Sequence, residues 1–157
     1  MKTIEKTITY QEYSYDQLPP DYSRLVKLAR EASLRAYAPY SQFSVGAAIQ
    51  LSNGEVVEGS NQENVAFPSG TCAERTACYY AHSRYPEAKF EAIAVAARGT
   101  DGDFTVDPTA PCGACRQALL QYEKLAGHDV PVLLAGRHSV IVLPSVKSLL
   151  PFAFIEF

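Results

Sequence analysis

Two short stretches of the 157-residue chain concentrate side chains able to hold a metal and move a proton. They are Thr71-Cys72-Ala73-Glu74-Arg75 and Pro111-Cys112-Gly113-Ala114-Cys115-Arg116-Gln117. Each places cysteine at the predicted opening turn of a helix. Unpaired backbone N–H groups and the helix dipole favour thiolate there, and thiolate is the form that binds metal. Cys112 and Cys115 can grip one ion together, and Cys72 adds a third sulfur if the two helix ends meet. Three protein ligands on zinc leave a fourth tetrahedral position for water, the arrangement of a catalytic site. The remaining thiol, Cys78, lies six residues beyond Cys72. That spacing turns a helix by about 240° and advances it about 9 Å, so both sulfurs do not easily reach one ion. Cys78 reads instead as a small core residue.

Glu74 is the natural proton carrier beside such a site. It has a plainer reading too: Thr71 followed three residues later by Glu74 spells a capping box. Mid-helix, positions i and i+2 also point apart, so Cys72 and Glu74 share a site only if the first turn lets their side chains lean over the helix end. The three cysteines favour catalysis over capping. The Cys112–Cys115 pair has its own rival, a redox dithiol. That reading leaves Cys72, Glu74 and Arg75 without a role.

The elements that must position these groups follow from pattern. Residues 1–20 read as an extended arm, with Thr7, Ile8, Thr9, Tyr10, Tyr13 and Tyr15 favouring strand and Pro19-Pro20 closing it. The single domain then runs over 21–157. Asp21 is a helix cap, and Leu25, Leu28, Ala29 and Ala32 recur at helical spacing to about residue 36. Phe43 to Ile49 alternates as a strand, Asn53-Gly54 marks a hairpin, and Glu55 to Ser60 returns. Helices are expected over 71–83 and 112–126, a buried strand over 92–97, and a polar loop over 99–109 between them. Strands over 130–135 and 139–143 and a short helix near 145–150 complete the chain. Helix–strand alternation around apolar strands points to an α/β layered sandwich with a mixed sheet.

Bulk composition narrows the partners. Hydrophobic residues make up 47% and charged residues 20%, as in ordinary globular proteins. Fourteen Lys and Arg against 17 Asp and Glu leave a net charge of −3, with no basic stripe for a polyphosphate backbone. Nucleic acid is therefore not the expected partner. The start of the chain lacks the apolar core of a signal peptide and the apolar runs are strand-sized, so no membrane association and a cytoplasmic location are expected. Structural disulfides are uncommon in that compartment, which leaves metal as the better use of the cysteines.

Taken together, Cys-Ala-Glu-Arg at 72–75 and Pro-Cys-Gly-Ala-Cys-Arg-Gln at 111–117 resemble the zinc signature of the small, homotetrameric, three-cysteine cytidine deaminases. The resemblance extends to Tyr40-Ser41-Gln42-Phe43-Ser44-Val45-Gly46-Ala47-Ala48, to Asn61-Gln62-Glu63-Asn64, and to Leu149-Leu150-Pro151 with Phe154. It covers residues 25–154, with the motifs in family order.

What the resemblance implies is specific. The fold would be a three-layer α/β/α sandwich with a mixed sheet of about five strands. The reaction would be hydrolytic deamination of free cytidine and 2′-deoxycytidine to uridine and 2′-deoxyuridine, with release of ammonia, in pyrimidine salvage. One zinc ion per subunit would sit on Cys72, Cys112 and Cys115. Water acidified there would attack C4 while Glu74 takes its proton and delivers one to N3. Arg75 would donate to the ligand sulfurs and offset their charge, where the ordinary alternative is a surface ion pair. Asn61 and Glu63 would bind ribose hydroxyls, and the backbone N–H of Ala73 would bind the ring carbonyl. Phe43 would wall the base, and Phe154 would stack on it from a neighbouring subunit of a homotetramer whose active sites lie near the interfaces. Core packing is the plain alternative for both rings. Four features depart from the family pattern: Phe67 where tyrosine is frequent, Gln121 where glutamate is expected, a long arm, and a long loop before Pro111.

Overall fold

The computed structural model describes residues 1–156. In chain order the elements are β1 (Gln11–Ser14), α1 (Pro20–Ser33), β2 (Ser44–Leu51), β3 (Val56–Ser60), α2 (Ala73–Arg84), β4 (Phe90–Arg98), α3 (Gly113–Ala126), β5 (Val132–Ala135) and β6 (Ser139–Leu143). Single 3-10 turns cover Phe67–Ser69 and Val146–Leu149. The strands form one sheet in the order β1-β6-β5-β4-β2-β3. Only β4 and β5, joined through α3, run parallel; the other pairings are antiparallel.

Alternation along the strands divides the core into two layers. On β4, Ile93 and Val95 face a cluster shared with Ala73, Ala77 and Ala81 of α2 and Leu119 and Leu120 of α3. The intervening Ala92, Ala94 and Ala96 face a second cluster with Leu25, Val26 and Ala29 of α1. A strand buried on both faces reads as a continuous apolar run, which is what residues 92–97 show. The result is the expected α/β/α sandwich, with α1 on one face of the sheet and α2 and α3 on the other.

The sheet has six strands where about five were expected. The sixth comes from the arm: β1 pairs with β6, with Gln11 opposite Val142 and Ser14 opposite Ser139. An unpaired edge on β6 would leave backbone N–H and C=O groups open, and the strand-favouring arm covers it. Side chains hold the arm as well. The Arg30 guanidinium stands over the rings of Tyr15 at 4.4 Å and Phe104 at 4.3 Å, and both Arg30 and Tyr15 donate to the carbonyl of Gly136 at 2.6 Å.

Other departures are local. The first helix ends at Ser33 and starts at Pro20 with no side-chain cap, so Asp21 lies in its first turn instead of capping it. The β2–β3 hairpin closes through the Gly54 N–H to Leu51 carbonyl bond at 3.0 Å, with Gly54 at φ 87°. Glutamate is absent at position 121, yet Glu123 is only 6% exposed. Its carboxylate accepts from the backbone N–H groups of Val130, Val146 and Lys147 at 2.9, 2.6 and 3.1 Å, tying α3 to the segments around β5 and β6.

Candidate active site

The first turns of α2 and α3 meet on one face of the sheet because of what lies beneath them. A Cβ at Gly59 on β3 would fall 2.5 Å from the Ala73 carbonyl and 2.5 Å from the Ala77 N–H. Only glycine lets α2 sit this close, and its opening turn is set by that contact. Loop residues just upstream are latched to the same turn. Gln62 and Thr71 exchange two backbone hydrogen bonds of 2.9 Å, which fixes the 61–64 loop beside Cys72.

Cys72 is the N-cap of α2 and Cys112 the N-cap of α3, both with extended backbone, and Cys115 follows in the first turn of α3. Their sulfurs all lie within 4.8 Å of one another, and Cys72 to Cys112 is 4.0 Å. A tetrahedral zinc with Zn–S bonds of about 2.3 Å separates its sulfurs by about 3.8 Å, so the three donors fit one ion. Cys78 is fully buried and its thiol is pushed up to about 12 by burial, the behaviour of a core residue.

Charge among the sulfurs is uneven. Hydrogen bonding from Cys115, and then from Arg75 and Cys112, brings Cys72 down to about 5 against its own partial burial. Cys115, the donor in that pair, is pushed upward. Arg75 Nη2 stands 3.6 Å from Cys72 Sγ, and the thiolate raises the guanidinium in turn. An arginine on this helix thus faces the sulfurs and not an exposed acid.

Glu74 is 4% exposed. Burial, and then the negative charge of Cys72, raises its carboxyl above the ordinary range, while its own backbone N–H and the Cys115 thiol bond to it. The capping box is not formed. The helix begins one residue later than that motif needs, Thr71 lies outside it, and no side chain caps the turn. Freed from capping, the carboxyl leans to the sulfurs.

A cleft of about 530 Å³ opens beside Cys72 and Arg75, walled by Tyr40, Ser41, Asn61, Glu63 and Phe67 among others. Asn61 is held by the start of β2: its Oδ1 accepts from Val45 N–H at 2.7 Å and its Nδ2 donates to the Phe43 carbonyl at 2.9 Å. Glu63 accepts from the N–H groups of Tyr40 and Ser41 at 2.8 and 3.3 Å and from the Ser41 hydroxyl, which holds its carboxyl below the usual value. Ala73, fully buried, opens α2. Ala73, Glu74, Cys112 and Cys115 lie behind its wall instead of lining it, and the two expected aromatic residues stand apart from it. Phe43 lines a separate depression with the 99–109 loop. Phe154 is 66% exposed on the C-terminal segment, where its carbonyl accepts from Gln117 at 2.8 Å.

Comparison with known proteins decides the family. The family model described as "Cytidine and deoxycytidylate deaminase zinc-binding region" matches residues 19–126. A protein of Halalkalibacterium halodurans named cytidine deaminase is 39% identical over 134 residues, spanning 85% of this chain and 94% of the relative. The chain belongs to the cytidine deaminase family. A second cytidine deaminase, from Sporosarcina psychrophila, is 39% identical over 85% of this chain and 91% of its own length. The crystal structure of the cytidine deaminase from Burkholderia pseudomallei superposes with a TM-score of 0.71 at 38% identity, covering 83% of this chain and 97% of that one. The six-stranded sandwich is therefore a cytidine deaminase fold, and the chain is a hydrolase of that family.

Residue types alone do not single out Gly59 or Ser41. Ser41 lies within a motif that carries the resemblance, but a serine in a polar loop has no spacing that points to a role. Gly59 carries its signal only once the helix above it is placed.

Proposed function

We propose that this cytidine deaminase hydrolyses the exocyclic amine of free cytidine and 2′-deoxycytidine, releasing ammonia and the uridine forms, within cytoplasmic pyrimidine salvage. The reading rests above all on one convergence: three sulfurs spaced for a single ion with the buried Glu74 carboxyl leaning to them. One zinc per subunit would be held by Cys72, Cys112 and Cys115 and would supply a Lewis acid that brings the pKa of water towards neutrality. Glu74 takes a proton from the attacking water and delivers it to N3 of the base, then takes the proton of the new hydroxyl on C4 and passes it to the departing amine. Its carboxyl, raised by burial, suits a group that must both hold and release a proton.

The remaining residues position the substrate. The Ala73 N–H, unpaired at the helix start, binds the ring carbonyl. Asn61 and Glu63 take the sugar hydroxyls, Arg75 offsets the charge of the sulfurs, and Phe43, whose carbonyl is bound to Asn61 of the cleft, walls the base from the adjoining depression. Phe154 stacks on the base of an adjacent subunit, which its exposure within one chain supports. Exposed Val65 at 79% and Phe67 at 74% support burial between subunits of a homotetramer. The net charge of −3 and the absence of a basic stripe favour a free nucleoside over a nucleic acid. Residues 21–157 form the deaminase domain, and the 1–20 arm is an addition to it.

Metal analysis with ammonia release from a panel of amino-pyrimidine nucleosides tests this directly. Stoichiometric zinc and turnover of cytidine are expected; zinc without cytidine turnover would reject the substrate. Light scattering should give four times the 17.2 kDa chain mass.

A further inference from the structure

The C-terminal segment leaves the Val146–Leu149 turn with no helix or strand over residues 150–156. Its backbone carbonyls therefore have no ladder to join, and long side chains take them instead. Arg116 Nη1 donates to the Leu149 carbonyl at 3.0 Å, Gln117 Nε2 to that of Phe154 at 2.8 Å, and Lys124 Nζ to that of Ile155 at 3.1 Å. These three donors stand on α3, the helix that carries Cys115 in its first turn. A fourth comes from the other end of the chain. Lys6 Nζ donates to the Pro151 carbonyl and stands 5.4 Å from the centre of the Phe152 ring. The backbone is thus pinned from two sides while its rings stay exposed, Phe152 at 95% and Phe154 at 66%.

The arm reaches this place because β1 is fixed on β6 and Tyr15 on the Gly136 carbonyl. Lys6 lies five residues before Gln11, so the strand keeps it within about 18 Å of that anchor. Between arm and segment runs a groove of about 620 Å³, walled by Ile8 and Thr9 on one side and by Leu150, Phe152 and Ile155 on the other. Lys6 links the two walls. An ammonium has three donors and a point charge, so it holds a carbonyl and a ring face together. The two contacts fix the backbone at Pro151 and the ring beside it, three residues before Phe154.

We propose that Lys6 is a positioning residue: through it the arm straps the C-terminal segment and sets the direction in which Phe154 is presented to the base in an adjacent subunit. The inference rests on the stacking role given to Phe154 above. It adds the arm, which departs from the family pattern, to the parts that complete a site.

Steady-state kinetics of the full-length, zinc-loaded enzyme on cytidine tests it through a double-mutant cycle of Lys6→Ala and Phe154→Ala. Phe154→Ala should raise KM about tenfold, the loss of one base stacked on one ring. Lys6→Ala should raise KM about threefold with kcat within about twofold of the parent, since an exposed cation–π contact orients the ring without touching substrate. In the Phe154→Ala background Lys6→Ala should change nothing further. Lys6→Arg should restore the parent KM, because a guanidinium makes both contacts. A parental KM for Lys6→Ala, or the same loss with the Phe154 ring already removed, overturns the strap and leaves the role of Phe154 standing. A parental KM for Phe154→Ala overturns that role, and the strap with it.

Discussion

Two residues of α2, Cys72 and Glu74, show how position decides chemistry. They are two apart in sequence, and on a mid-helix turn they would point away from each other. At the first turn one is the extended N-cap and the other is buried beside the sulfurs, so both lie in reach of one centre. Glu74→Gln should keep its zinc and its fold while losing turnover by about three orders of magnitude or more, since it removes the group that carries the proton. Metal analysis beside a cytidine assay checks this, and activity close to the parent would dismiss that role. The thiols should also differ once zinc is stripped by a chelator. Cys72, lowered to about 5, is protonated below that pH and thiolate above it. Its alkylation rate should therefore climb as pH rises through about 5 and level off before neutrality, because thiolate is the nucleophile. Cys78, buried and raised to about 12, should stay unmodified until the chain unfolds. Peptide mapping after brief alkylation distinguishes the two; early labelling of Cys78 would contradict its place in the core.

At the scale of elements, the site depends on how closely α2 approaches the sheet. Gly59 on β3 permits that approach, since any Cβ there would overlap the helix backbone. Gly59→Ala should lift the first turn of α2, costing about 1–3 kcal/mol of stability through overpacking. Because Cys72 rides on that turn, zinc affinity should fall alongside. Urea unfolding and a zinc competition titration read the two effects, and a variant with parental values for both would show that α2 is positioned by something else. Element boundaries were legible from pattern to within a few residues, as for Ser139–Leu143 and for the α3 start after Cys112. The capping of α1 and α2 was not, because their N-cap residues, Pro19 and Cys72, make no side-chain cap bond.

For the molecule as a whole, the arm is the part that composition described least well. Its tyrosines and threonines announce a strand, but a strand has no meaning until it finds a partner, and β6 lies more than a hundred residues away. Removing residues 1–15 would take away β1 and the Tyr15 ring that stacks on Arg30. The truncated enzyme should unfold at lower urea with a smaller dependence on denaturant, since less surface is buried. It should retain zinc, because the three clustered sulfurs lie outside the arm. An unchanged unfolding midpoint would mean that β1 adds nothing to the sheet's stability.

The sequence by itself determined the class of fold and the candidate groups for the chemistry. Cysteines at two helix starts, an acid beside one of them, and apolar runs of strand length are local properties, readable because helix ends and strand periodicity are set by neighbouring residues. Tertiary structure alone decided which of these groups meet. The 4.0 Å between Cys72 and Cys112 depends on two helices forty residues apart docking on one face of the sheet. The clasp of Ser41 on Glu63 depends on a strained turn lying against a distant loop. Such contacts come from packing between elements, and packing is a property of the folded chain that no local spacing encodes.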